Sequence, residues 1–212
     1  MGGEHYLAVQ TERSKGLVTA YRNGEPERSI TTFVNYVVLP ARERVETKSK
    51  DGHYVEVIDG DRGWLYSSLS KITRDLDSTE MLRAKQSRLY QIDSLLRGGW
   101  RQAKEARYLP AKELWRGQRA DAVLLVFPDN SEVSIYFDFT TRLPVALRFP
   151  AIREGAKIVR AENRFYRYVK QQQLQVPYVV DLYENDLQVL RVSYESREFN
   201  VRIDEKLFAR PK

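Results

Sequence analysis

Turn signals crowd the first third of the chain. Asn23-Gly24, Asp51-Gly52 and Asp59-Gly60-Asp61-Arg62-Gly63 separate short runs in which polar and apolar residues alternate. Asn, Asp and Gly accept the positive φ of tight hairpin turns. Connections this short leave no room for a crossover, so the runs they join must be antiparallel neighbours. Lys15–Arg22, Ser29–Leu39, Arg42–Lys48, Tyr54–Ile58 and Trp64–Ser67 therefore read as successive strands, and Pro40 ends the second by removing a ladder donor. Ahead of them, Glu4–Gln10 reads as the end of a short helix.

The pattern changes near Asp75. From Ser78 to about Arg97 there is no Pro or Gly, and Met81, Leu82, Leu89, Ile92, Leu95 and Leu96 recur at helical spacing. Asp77 or Ser78 supplies the N-cap and Gly98-Gly99 the stop. Arg83, Lys85, Arg88 and Arg97 mark the other face. This is the one long helix the sequence predicts, and its apolar stripe needs a surface to pack on.

Strand character then returns. Ala120–Phe127, Val133–Phe139, Val145–Phe149, Ile158–Val169, Pro177–Tyr183 and Gln188–Val201 alternate, with turns at Pro128–Ser131, Thr140–Pro144 and Glu184–Asp186. Pro110 leaves Ala106–Trp115 ambiguous, and Asp204–Lys212 forms a short closing segment. About ten strands without βαβ alternation exclude a parallel sheet. The expected fold is mainly β (α+β): one domain over residues 1–212, a strongly curved antiparallel sheet with the helix against its concave face.

Composition supports this. Apolar residues make up 42% of the chain, and 13 Tyr, 8 Phe and 3 Trp suit half-buried pleated surfaces. The net charge of +6 comes from 35 basic and 29 acidic residues, interspersed as on an ordinary solvated surface. No apolar run approaches the roughly 20 residues of a membrane helix. The opening Met1-Gly2-Gly3-Glu4-His5 is not a leader peptide. If the protein is exported, the leader is absent from this chain.

The common catalytic signatures are missing. There is no cysteine, and His5 and His53 have no ligand-spaced neighbours, so no metal and no cofactor is expected. Neither phosphate-loop fingerprint occurs, and Gly98-Gly99 ends a helix where an anion site needs glycines before one. There is no G-x-S-x-G. A carboxylate pair remains open, since two acids can meet from anywhere in the chain. Asp138, between Phe137 and Phe139, points either inward or to solvent. Arg164-Phe165-Tyr166-Arg167-Tyr168 resembles a stacking platform, but an aromatic-rich strand also builds a core or cavity wall, and no nucleic-acid module accompanies it.

Several segments resemble the LolA/LolB-like superfamily of outer-membrane lipoprotein-sorting proteins and periplasmic lipoprotein carriers. Leu39-Pro40-Ala41-Arg42-Glu43-Arg44-Val45-Glu46 is similar to its P-x-x-x-R-x-E strand. Val57-Ile58-Asp59-Gly60 with Gly63-Trp64-Leu65-Tyr66 is similar to its DG-x-x-x-W-x-Y hairpin. Asp138–Pro144 resembles the D-x-x-T-x-L-P turn, and Asp204–Pro211 the D-x-x-L-F-x-x-P closure. The resemblance implies a half-open β-barrel with a helical lid, facing the periplasm, with a cleaved leader and a truncated N-terminal helix. It also implies a non-enzymatic role in transport and outer-membrane biogenesis. The ligand would be a lipid or lipoprotein acyl chain, with membrane-anchored donor or acceptor proteins as partners. The chain departs from the pattern at Leu39, where carriers of this type place an arginine that holds the lid.

The leading expectation is therefore a monomeric carrier or sensor with a hydrophobic cavity, binding no nucleic acid. The alternatives are an interaction module with a filled core and a hydrolase using a carboxylate pair. Strand parity nominates Phe33, Trp64, Tyr66, Phe137, Phe139, Leu182, Val192 and Tyr194 as cavity wall, with Met81, Leu89 and Ile92 from the helix. A one-residue slip in any strand turns its residues outward.

Overall fold

Each turn read from the sequence closes an antiparallel pair in the computed structural model, which describes residues 2–153, 155 and 157–211. Met1 and the final residue of the closing tail, Lys212, lie outside the described residues. After a one-turn helix α1 (Glu4–Leu7), the first six strands are β1 (Thr11–Arg22), β2 (Glu25–Val38), β3 (Arg42–Ser49), β4 (Gly52–Asp59), β5 (Arg62–Ser67) and β6 (Ile72–Asp75). Helices α2 (Ser78–Leu89) and α3 (Ile92–Leu96) follow. The chain then forms β7 (Glu105–Glu113), β8 (Arg119–Val126), β9 (Glu132–Asp138), β10 (Pro144–Ile152), β11 (Ile158–Gln171), β12 (Leu174–Glu184) and β13 (Leu187–Phe199).

Among the described residues these thirteen strands form one sheet, in the order β6-β5-β4-β3-β2-β1-β13-β12-β11-β10-β9-β8-β7. Two meanders meet where β1 pairs with β13. The free edges are β6 and β7, strands joined in sequence by the helical segment. That segment has to travel from one edge of the sheet to the other, and it does so across the concave face. The lid position thus follows from which strands pair.

Thirteen strands exceed the ten or so expected, and the differences have physical causes. β1 starts at Thr11, ahead of the expected Lys15, because Glu12 and Ser14 are buried and disguise an inward face as polar. β7 keeps Pro110 at a sheet edge, inside a register irregularity between Leu109 and Lys112, where no ladder donor is lost. β6 is a four-residue edge strand too short for a periodic signal.

The single long helix is corrected to two. Asp77 and Glu80 form a reciprocal capping box at the start of α2. The helix breaks at Tyr90-Gln91, where Gln91 is extended. Tyr90 is buried against Phe127 and Phe149, and the turn swings α3 so that Ile92 and Leu95 enter the core of β8–β11. Leu82, counted on the apolar stripe, is 54% exposed because α2 seats on the sheet through Met81. Gly63 lets it do so: a Cβ there would lie 2.9 Å from Met81 Sδ and 2.8 Å from Val57 O.

A bulge shapes the seam. The β1–β13 register shifts between Lys15 and Gly16, leaving Glu195 unpaired. Tyr194 and Arg197, three apart, therefore both face inward, which simple alternation forbids. Gly16 lies against this bulge, where a Cβ would be 2.1 Å from Ser193 O and 2.9 Å from Tyr194 Cα. Gly16→Ala is expected to destabilise the protein by about 3 kcal/mol, since backbone cannot yield as a side-chain tip does. Urea unfolding followed by circular dichroism measures this, and a cost under about 0.5 kcal/mol would contradict the seam geometry.

Candidate ligand cavity

The concave face of β1–β4 and β10–β13 and the underside of α2 and α3 enclose a half-open cavity of about 1180 Å³. One wall is apolar. Phe149, Phe165, Val180, Leu182, Leu190 and Val192 line it from β10 to β13, and Leu89 and Ile92 close it from the helices. The opposite wall, on β2 to β4, is lined by Asn35, Val37, Glu43 and Glu56. The polarity is therefore divided between two sides.

A buried charge cluster occupies the seam end. Arg197, 2% exposed, donates from Nε and Nη2 to Glu12 Oε1 at 3.0 and 2.8 Å and from Nη2 to Asp93 Oδ2 at 2.6 Å. Arg97 donates to Glu12 Oε2 at 3.1 Å and lies near the rings of Tyr6 and Phe199. The Tyr6 hydroxyl donates to Asp93. Two arginines thus meet two carboxylates, and burial costs are repaid by mutual pairing. Burial alone would raise the Asp93 carboxyl, but Arg197 and Arg97 outweigh it and hold it below the usual carboxylate range. Burial also pushes the Tyr194 phenol up to about 12, so it stays protonated in the cavity wall. The cluster ties α1, β1, α3 and β13 together, fixing α3 to the sheet. It escapes sequence reading because its central pair, Glu12 and Arg197, lies 185 residues apart.

Of the eleven nominated wall residues, the structure brings five together along the cavity: Leu89, Ile92, Leu182, Val192 and Tyr194. Six lie elsewhere. Phe33 is on the concave side but is buried edge-on against Tyr194 at 5.6 Å. Trp64 and Tyr66 are one residue out of phase and face the convex side, where Trp64 Nε1 donates to Phe208 O of the closing segment at 3.3 Å. Met81 is a packing anchor for α2. Phe137 packs at the margin of the β8–β11 core. Phe139 is 44% exposed, with Arg119 and Arg142 over its ring.

Asp138, Arg164 and His53 each have partners within the fold. Asp138 caps the β9–β10 turn, accepting from the N–H groups of Thr140 and Thr141 at 3.1 and 2.7 Å. Those bonds hold its carboxyl below its ordinary range. Arg164 is stacked between Trp115 and Tyr183, 4.2 and 3.8 Å from the ring centres, while Phe165 points into the core. His53 sits 3.6 Å from Glu46 across the β3–β4 pair. Among the described residues no helix is long and apolar enough to cross a membrane.

No family model and no curated protein matches the chain at the level of sequence. Solved structures do match over nearly its whole length. A LolA superfamily protein from Nitrosomonas europaea superposes with a TM-score of 0.64 at 8% identity, covering 99% of this chain and 98% of the other. The chain has a LolA-like fold. A DUF1329 family protein from Desulfovibrio piger gives a TM-score of 0.66 at 11% identity, with 97% and 92% covered. A domain described as an outer membrane lipoprotein-sorting protein from Vibrio parahaemolyticus gives 0.61 at 10% identity, with 94% and 89% covered.

Within this LolA-like sheet the four motif segments take defined places. The Pro40 bend and the Trp64 hairpin border α2, and the closing segment covers the convex face of β3–β5, where Arg44 donates to Leu207 O at 2.7 Å. At the departure point, Leu39 lines the cavity. The bend is instead tied to the helix by Arg88, which donates to Pro40 O at 3.1 Å and Ala41 O at 3.0 Å. The arginine of this contact comes from the helix side.

Proposed function

We propose that the protein is a non-enzymatic carrier or sensor that holds the acyl chain of a lipid or lipoprotein in the LolA-like cavity. The observation that carries this reading is an apolar wall in which Phe149, Val180, Leu182, Leu190 and Val192 are left only partly covered inside a cavity of about 1180 Å³. An ordinary core closes such space, because empty apolar volume forfeits packing energy. A chain laid on this wall gains roughly 0.8 kcal/mol per buried CH₂. The solved structures of the same fold, one described as a lipoprotein-sorting domain, support the reading. A periplasmic location and exchange with membrane-anchored partners complete the proposal.

The test is displacement of a fluorescent fatty acid, paired with native mass spectrometry of gently purified protein. Saturable micromolar binding and a co-purifying lipid mass are expected. A protein that neither retains lipid nor takes up the probe would overturn the proposal.

A further inference from the structure

We infer that the occupant of the cavity is an amphiphile whose head carries hydrogen-bond donors, an ammonium group foremost, seated on Glu43, Glu56 and Asn35 while its chain lies on the β10–β13 wall. The inference rests on the cavity being a ligand site, as proposed above, and adds the polarity of the ligand's head.

Five carboxylates line the cavity: Glu12, Glu43, Glu56, Glu80 and Asp93. Three are matched by cations. Glu12 and Asp93 share Arg197, and Glu80 is held by the fork of Arg74 at 2.7 Å on both arms. Glu43 and Glu56 alone make no ion pair among the described residues. They stand on adjacent strands of the polar wall, β3 and β4. Among the described residues Glu43 accepts one hydrogen bond, from Asn35 Nδ2 at 3.1 Å, and Asn35 Oδ1 beside it is buried with no donor of its own.

The cations facing this wall do not fill the need. Arg88 acts on Glu43 through space but directs its guanidinium to the carbonyls of Pro40 and Ala41. Arg83 acts on Glu56 through space without closing a salt bridge. Desolvation raises both carboxyls above their ordinary range, so the protein itself compensates their charged forms poorly. A buried acceptor without a donor calls for a partner, and Asn35 Oδ1 is one; it stands on the same lining wall as the unpaired carboxylates Glu43 and Glu56. An anionic head would meet two carboxylates, and a purely apolar ligand would leave them desolvated and unpaired. A head with several N–H donors satisfies all three.

The experiment compares three competitors of one chain length, dodecylammonium, dodecanol and dodecanoate, at neutral pH against the neutral probe N-phenyl-1-naphthylamine bound to the full chain. Dodecylammonium is expected to compete about tenfold better than dodecanol, the strength of one charge-assisted hydrogen bond, and dodecanoate worse than either. In Glu43→Gln, which keeps an acceptor for Asn35, the preference for the ammonium over the alcohol should fall toward unity while dodecanol binds as before. Glu56→Gln, at a more exposed position, gives the same readout independently of any folding defect. Equal competition by all three heads, or an ammonium preference untouched by both substitutions, would overturn this inference and leave the cavity reading standing. Failure of every competitor and of the probe would remove the cavity reading itself.

Discussion

Arg197→Met is expected to destabilise the protein by about 3–5 kcal/mol, because it leaves two buried carboxylates without their shared cation. Arg97 still reaches Glu12 and still acts on Asp93 through space, but among the described residues the hydrogen bonds to the Asp93 carboxylate shrink to the one from the Tyr6 hydroxyl. The pH dependence separates this from simple loss of packing. In the native protein the Asp93 carboxyl is held below its ordinary value. A group lowered on folding adds stability that is full above its unfolded value of about 3.9 and is lost as pH falls through the folded value. The unsubstituted protein should therefore weaken below about pH 4. In Arg197→Met the Asp93 carboxyl loses its strongest opposing charge and moves up from its lowered value, so acid costs the variant less than it costs the unsubstituted protein. Urea unfolding at pH 7 and near pH 3.5 should show the gap between the two proteins narrowing in acid. A constant gap would mean that the arginine acts through its bulk alone.

Val192→Trp is expected to weaken acyl binding by roughly a hundredfold while leaving stability nearly unchanged. Val192 sits in mid-wall, paired with Val180 on the next strand, and its side chain opens on the cavity. The indole has free space to enter, so it avoids the overpacking that the same change would cause in a closed core. Displacing about four methylenes at roughly 0.8 kcal/mol each gives about 3 kcal/mol, which is the hundredfold figure. Fatty-acid displacement and thermal unfolding on the same sample check both halves. Unchanged affinity would place the chain elsewhere.

Much of the sheet was legible because hairpins are local. Asn23-Gly24, Asp51-Gly52 and Asp59–Gly63 each act within a few residues, and the structure closes an antiparallel pair at each. The cavity was harder. Leu182 and Val192 lie in a run where alternation holds, and they reach the wall. Trp64 and Tyr66 belong to an equally regular strand, yet the face taken for the inside is the outer one, where the closing segment makes a second core. Periodicity gives two faces and does not say which is concave. The polar members of the site, Glu12, Glu43 and Arg197, carried no signal at all, since a charged residue in a strand reads as solvent-facing until its partner is known.

Local chemistry is enough to dictate a long antiparallel meander, one capped helical segment and the absence of the common catalytic signatures. The pairing of β1 with β13 is a different matter, because it joins residues nearly a full chain length apart and depends on two meanders docking. That single pairing leaves β6 and β7 as the edges and draws the helices across the concave face. The bulge at Gly16 then turns Arg197 inward beside Tyr194, where it binds Glu12 and Asp93. The lid, the divided cavity and the buried charges are consequences of that long-range contact, so they exist only in the assembled fold.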